Sequence, residues 1–192
     1  MTLPSSYKLL VAALLVIAMT GCGSLLATFE SDTIEEDPGT RTMAQQIEDE
    51  SIETKAIINI RAFDDAFDEA NLVVVSYNGF VLVTGQVANL DLKAEVPNVL
   101  RKISGVRRIY NELEVRENAD AESYANDLWL TTQVKSKLLI TSNTPSKRTK
   151  VVTENSVVYL MGLLTSEEAD RVAEVAAGIS GVLRVVRLFE II

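Results

Sequence analysis

The chain has 192 residues, 47% apolar and 23% charged, with a net charge of −9, one cysteine and no histidine. The acidic balance argues against nucleic acid as a partner, because phosphate backbones are bound through surplus lysine and arginine. The missing histidines exclude Ser/His/Asp triads and His-containing zinc or iron sites, and no cofactor is expected.

The first stretch reads as an export signal. An apolar run from Leu9 to Ala18 follows a start whose only charge is Lys8, and small residues precede Cys22. Residues 1–21 therefore have the form of a secretory signal peptide. Leu9 to Met19 is too short to cross a bilayer, which takes ~20 apolar residues. An unmodified cysteine behind an ordinary signal, or a short anchor, is the plain alternative. Met19-Thr20-Gly21-Cys22, however, resembles the bacterial lipobox, in which the cysteine is acylated and becomes the first mature residue. Met19 stands where leucine is usual. Cys22 is the expected lipidation site, and its acylation leaves no cysteine for a disulfide, so stability must come from the core.

Residues 22–41 carry Glu30, Asp32, Glu35, Glu36, Asp37 and the turn pair Pro38-Gly39, without a sustained apolar period. They read as a flexible acidic tether spanning roughly 25 Å as a coil. Its acids either hold the folded part off an anionic membrane or mark plain disorder, and the sequence leaves both open.

The remainder repeats itself. Asp49-Glu-Ser-Ile52-Glu-Thr54 matches Asp127-Leu-Trp-Leu130-Thr-Thr132, and the stretch Tyr77 to Gly85 matches Glu154 to Gly162. Ile103-Ser104-Gly105-Val106 matches Ile179-Ser180-Gly181-Val182. The offset drifts from 78 to 77 to 76, so two single-residue gaps align two copies. The expected domains are 42–116 and 127–192, with a polar linker at 117–126.

Each copy opens with a helix. Ile52, Ala56 and Ile60, and likewise Leu130, Val134 and Leu138, lie on one apolar stripe at i, i+4, i+8. A hairpin follows. Asn78-Gly79 suits a type I′ turn, and Asn155-Ser156 is a weaker signal for the same turn. Gly85 and Gly162 sit inside strand patterns and read as structural glycines, where a bulge or another backbone comes close. A bulky replacement at either is expected to disturb packing of the second helix on the sheet. That helix is capped by Thr165-Ser166-Glu167-Glu168 in the second copy. In the first it contains Pro97, which predicts a kink or a late start. A strand closes each copy. The fold class is α+β: two tandem α-β-β-α-β domains, each a three-stranded sheet packed on two helices.

The Asp-x-x-Ile/Leu-x-Thr motifs at Asp49 and Asp127, the hairpin ends at Gly85 and Gly162, and the Ser-Gly-Val turns at Gly105 and Gly181 resemble BON domains. Behind a lipobox, the chain resembles the dual BON-domain outer-membrane lipoproteins of Gram-negative bacteria, from residue 5 to residue 192. The resemblance implies a periplasm-facing, non-catalytic protein that supports envelope integrity. It also implies that the second BON domain binds anionic phospholipid. Gly23, rather than aspartate, follows Cys22, and by the usual sorting rule this directs the protein to the outer membrane.

Charge points to the same domain. Copy one holds 12 acids and 8 bases over residues 42–116, whereas copy two holds 7 acids and 8 bases over 127–192. Lys135, Lys137, Lys147, Arg148 and Lys150 form a local basic patch. At about 100° per residue, Trp129 falls roughly 140° from the centre of the apolar stripe. Leu128, Leu139 and Ile140 also turn away from it, with Lys135 beside them and Lys137 snorkelling from the stripe's edge. Tryptophan and lysine together suit a membrane interface. Copy one has Ser51 and Ile57 at the positions of Trp129 and Lys135. The candidate phospholipid-binding residues are therefore Leu128, Trp129, Lys135, Lys137, Leu139 and Ile140. Packing against copy one, or against an envelope protein or cell-wall component in a scaffold role, are the competing uses of this face. The cluster Asp64, Asp65, Asp68 and Glu69 lacks the glycine turn of an EF-hand and reads as a solvated surface, so no metal is expected.

Overall fold

The computed structural model describes residues 37–192. The signal peptide, Cys22 and the tether up to residue 36 lie outside the described residues. Each copy follows the expected order. The first runs α1 (Met43–Phe63), a 3-10 turn (Asp65–Phe67), β1 (Asn71–Tyr77), β2 (Phe80–Val87), α2 (Leu90–Leu100) and β3 (Arg108–Val115). The second runs α3 (Ala121–Ile140), a 3-10 turn (Ser146–Arg148), β4 (Thr149–Glu154), β5 (Val157–Leu164), α4 (Ser166–Ala177) and β6 (Arg184–Ile191). In each sheet the hairpin strands pair antiparallel, and the last strand joins the middle one in parallel through the second helix.

The period-2 alternation of the strands gives each sheet two apolar faces. One face packs on the helices. Ile52, Ala56 and Ile60 of α1 and Val96 of α2 meet Val74, Val81, Val83 and Leu113. Val134 and Leu138 of α3 and Val172 of α4 meet Val151, Val158 and Leu160. The other face of each sheet packs on its counterpart. Val75, Tyr77, Phe80 and Leu82 form one core with Val157, Tyr159, Met161, Leu163 and Leu188. The two copies thus make a four-layer helix–sheet–sheet–helix stack. Both middle strands are buried along their whole length. First-domain packing is therefore done by the sheet, and the outer face of α3 is left free of it.

The sheet–sheet contact uses equivalent positions twice. Asn78 in the first hairpin turn donates to Glu190 Oε2 at 2.7 Å, and Asn155 in the second donates to Glu114 Oε2 at 3.0 Å. Glu190 is also bound by Arg107. At the other end of the layer, the fully buried Gln86 donates through Nε2 to Glu154 Oε1 at 2.6 Å.

Several expectations are corrected. α3 begins at Ala121, inside the stretch expected to be linker, because the Asp120 side chain accepts from Ser123 N and caps the helix there. The tether's last residues are fastened. Asp37 accepts from Gly39 N and Thr40 Oγ1 and approaches Arg148, while Arg41 bonds Asp49 at 2.6 Å and stacks 3.7 Å over Tyr77. α2 starts directly after its cap Asn89 and runs through Pro97. Proline cannot supply the N–H that would bond the Lys93 carbonyl. Asn111 Nδ2 of β3 supplies a donor instead, at 2.7 Å. The helix therefore absorbs its proline without a late start.

Candidate functional site

Asp49 and Asp127 lie more than a turn inside their helices, which start at Met43 and Ala121. They are buried among the first turns, and each caps the hairpin of its own domain. Asp49 accepts from Asn78 N at 2.8 Å and Gly79 N at 2.9 Å, and also from the Ser76 hydroxyl and Arg41. Asp127 accepts from Asn155 N at 2.7 Å and Ser156 N at 2.8 Å. Both turns have two residues at positive φ, including Ser156 at 61°. A serine in that region is strained. The paired N–H donors to Asp127 hold it there, so the weaker turn sequence forms the same turn. Burial pushes the Asp49 carboxyl up. The bonds from Ser76, Gly79, Arg41 and Asn78 together outweigh it and hold the group below its ordinary range.

The two structural glycines make room for a strand rather than for a helix. A Cβ built on Gly85, at φ 119°, would lie 1.9 Å from the Asn71 carbonyl oxygen of β1. One on Gly162 would lie 2.6 Å from the Arg148 carbonyl oxygen. The first strand of each hairpin crosses closely at its start, and this close approach is the constraint.

With each hairpin fixed against its first helix, α3 is held by Asp127, Leu130, Val134 and Leu138, all buried. The other side of the helix faces solvent. Leu128, Trp129, Lys135, Lys137, Leu139 and Ile140 are all exposed, Trp129 at 51% and Ile140 at 75%. Trp129 and Ile140 lie three turns apart, about 16 Å along the axis. The copy-one helix carries its own exposed apolar residues, Met43, Ile47 and Ile58, but set among Glu48, Glu50 and Glu53.

Two neighbours extend the face beyond the helix residues read from sequence. Tyr124, one turn before Leu128, is 69% exposed, and Leu183 in the loop before β6 is 80% exposed. That loop begins at Gly181, where an added Cβ would sit 3.9 Å from the Trp129 ring. Helical spacing could have found Tyr124. Leu183 is 54 residues from Trp129 in the chain and only the fold brings its loop alongside.

The charges divide by type. Every ion pair among the described residues uses an arginine, and neither Lys135 nor Lys137 is engaged in one. Arg148, expected in the basic patch, is instead half-sequestered. It bonds Glu168, the Leu163 carbonyl and Asp37, which draw it over β5 and the start of α4. The arrangement offers ammonium groups and apolar side chains to the outside. Among the described residues no group of carboxylates, cysteines or histidines gathers with metal-ligand spacing.

The BON domain family model matches residues 49–117 and 126–192. The chain is 35% identical to outer membrane lipoprotein DolP of Haemophilus influenzae over 91% of its length and 87% of the relative's. It is 36% identical to a 21 kDa hemolysin of Actinobacillus pleuropneumoniae, covering 77% of this chain and 76% of that one. It is 27% identical to osmotically-inducible protein Y of Escherichia coli, covering 91% and 90%. With two matched domains behind a shared overall length, the chain belongs to the BON-domain family, as a dual-domain member of the DolP-like outer-membrane lipoproteins.

Proposed function

We propose that the protein is a non-catalytic outer-membrane lipoprotein, exported by residues 1–21, acylated at Cys22 and facing the periplasm. Its second BON domain binds anionic phospholipid, and the protein supports envelope integrity through that contact. The similarity to a named outer membrane lipoprotein supports the location. One observation carries the lipid reading: the outer face of α3 exposes Trp129, Leu139 and Ile140 next to two lysines that take no part in ion pairs.

Physically, the indole and leucines enter the headgroup boundary, and Lys135 and Lys137 meet phosphates. Each lysine near an anionic surface contributes about 1 kcal/mol, so the site by itself is weak. An acylated Cys22 does not need it for anchoring. The tether makes the second contact intramolecular and raises its effective concentration. The anchor then fixes the membrane, and the α3 face responds to which lipids are present there.

The test is NMR titration of residues 23–192 with phosphatidylglycerol or cardiolipin micelles against phosphatidylcholine micelles. Anionic micelles are expected to shift the amides of 124–140 and 181–183, and Trp129→Glu to remove those shifts. Identical shifts in the Trp129→Glu protein would sink the reading.

A further inference from the structure

A groove that shares Tyr124 and Leu128 with the α3 face lies on the side of the stack, between the edges of β1 and β4. It encloses about 490 Å³ and is walled by Val73 and Val75 of β1, by residues 151–154 of β4, and by Tyr124 and Leu128 of α3. Both β1 and β4 are outermost in their sheets. An unpaired edge presents free backbone donors and acceptors.

The register says which groups are free. The two-residue turn makes Glu154 and Val157 a hydrogen-bonded pair, and such pairs alternate along an antiparallel ladder. Val152 therefore bonds β5, while Val151 and Thr153 point N–H and C=O away from it. Among the described residues neither finds a backbone partner outside the sheet. On β1 the far end of the edge is closed, since Ser76 N donates to Glu53 at 2.8 Å. The β4 edge carries no such bond at Val151 or Thr153.

Charge selects the occupant. The charged residues lining the groove are Asp120, Asp127 and Glu154, with no base among them. Asp120 and Asp127 are occupied by the helix cap and the hairpin turn. Glu154 is 7% exposed, and its hydrogen-bond partner is the neutral Gln86. Burial pushes its carboxyl up against the bond from Gln86, Asp127 and Glu114 add to the rise, and the more distant Arg116, which pairs with Glu114, opposes it. Phosphate headgroups are repelled by this lining, and a second copy would set acids against acids.

We propose that this groove receives an extended segment of a partner protein, with apolar residues at alternate positions and one lysine or arginine, which adds as a strand to the β4 edge and places its cation against Glu154. Main-chain bonds to Val151 and Thr153 give the contact its affinity, and the valine walls with Glu154 give it sequence preference.

The experiment uses residues 23–192, which keep the whole described unit, and a fluorescein-labelled peptide, Thr-Val-Lys-Val-Thr-Val, with a Lys→Glu peptide as counterpart. The lysine peptide is expected to bind saturably by fluorescence anisotropy and to shift the amides of Val73, Val151 and Thr153. Glu154→Gln keeps the bond from Gln86 and is expected to weaken binding about tenfold, while the glutamate peptide does not bind. Equal binding of both peptides, or shifts confined to the Trp129 face, would overturn the proposal. So would groove amides that move with anionic micelles and not with the lysine peptide.

Discussion

Replacing Asp49 by alanine removes one acceptor and strands four donors: Asn78 N, Gly79 N, the Ser76 hydroxyl and the Arg41 guanidinium. A buried donor left without a partner costs about 1–3 kcal/mol, so the two turn N–H groups alone amount to roughly 2–6 kcal/mol. Breaking a buried ion pair from one side costs about 3–5 kcal/mol, in the same range. Asp127→Ala strands only Asn155 N and Ser156 N and no guanidinium, so its loss should be smaller. A unit of this size loses about 2–4 °C in Tm per kcal/mol. Asp49→Ala is therefore expected to melt roughly 10 °C below wild type, followed by far-UV circular dichroism at pH 7. The pH dependence has a definite sign. Because the folded-state pKa of Asp49 is depressed, its contribution is present above the unfolded value and is lost as pH falls through the folded one. The gap between wild type and Asp49→Ala should close in acid. A loss below about 1 kcal/mol at pH 7, or a gap that widens in acid, would refute the hairpin-cap account.

Glu154 has the opposite linkage: burial raises its folded pKa, so its contribution is favourable below the unfolded value and is lost as pH rises through the folded one. Glu154→Gln should raise the urea midpoint at pH 8 and leave it unchanged at pH 4. Asn111→Leu should cost about 1–3 kcal/mol by orphaning the Lys93 carbonyl, and adding Pro97→Ala should recover most of that loss by restoring the helical N–H; additive losses in the double mutant would contradict the substitution of one donor for the other. Gly85→Val should cost roughly 2–5 kcal/mol in chemical denaturation, from overpacking against Asn71 plus a left-handed backbone. Residues 117–192 alone expose Val157, Tyr159, Met161 and Leu163, each worth about 1.5–3 kcal/mol of burial, and should self-associate or unfold in sedimentation and melting experiments.

The internal repeat, the α-β-β-α-β order and the helix stripes were legible because they rest on local periodicity: every third or fourth residue of a helix, every second of a strand. The exposed α3 face followed from the same count, since a helix that buries Leu130, Val134 and Leu138 must turn Trp129 and Ile140 outward. Motif meaning was less legible. Asp49 and Asp127 recur at the same place in both copies, yet their partners lie about 30 residues on, and only hairpin closure brings those N–H groups to the carboxylates. Arg148 reads as part of a basic run, and it is the bonds to Glu168 and the Leu163 carbonyl, 20 and 15 residues on, that withdraw it.

Sequence by itself determined the elements, their order and their apolar faces, because each is encoded within a few neighbouring residues. Tertiary structure decided what covers the second face of each sheet and which charges stay free. Those depend on pairs such as Asn78–Glu190 and Gln86–Glu154, 112 and 68 residues apart, whose meeting is fixed by the packing of whole sheets.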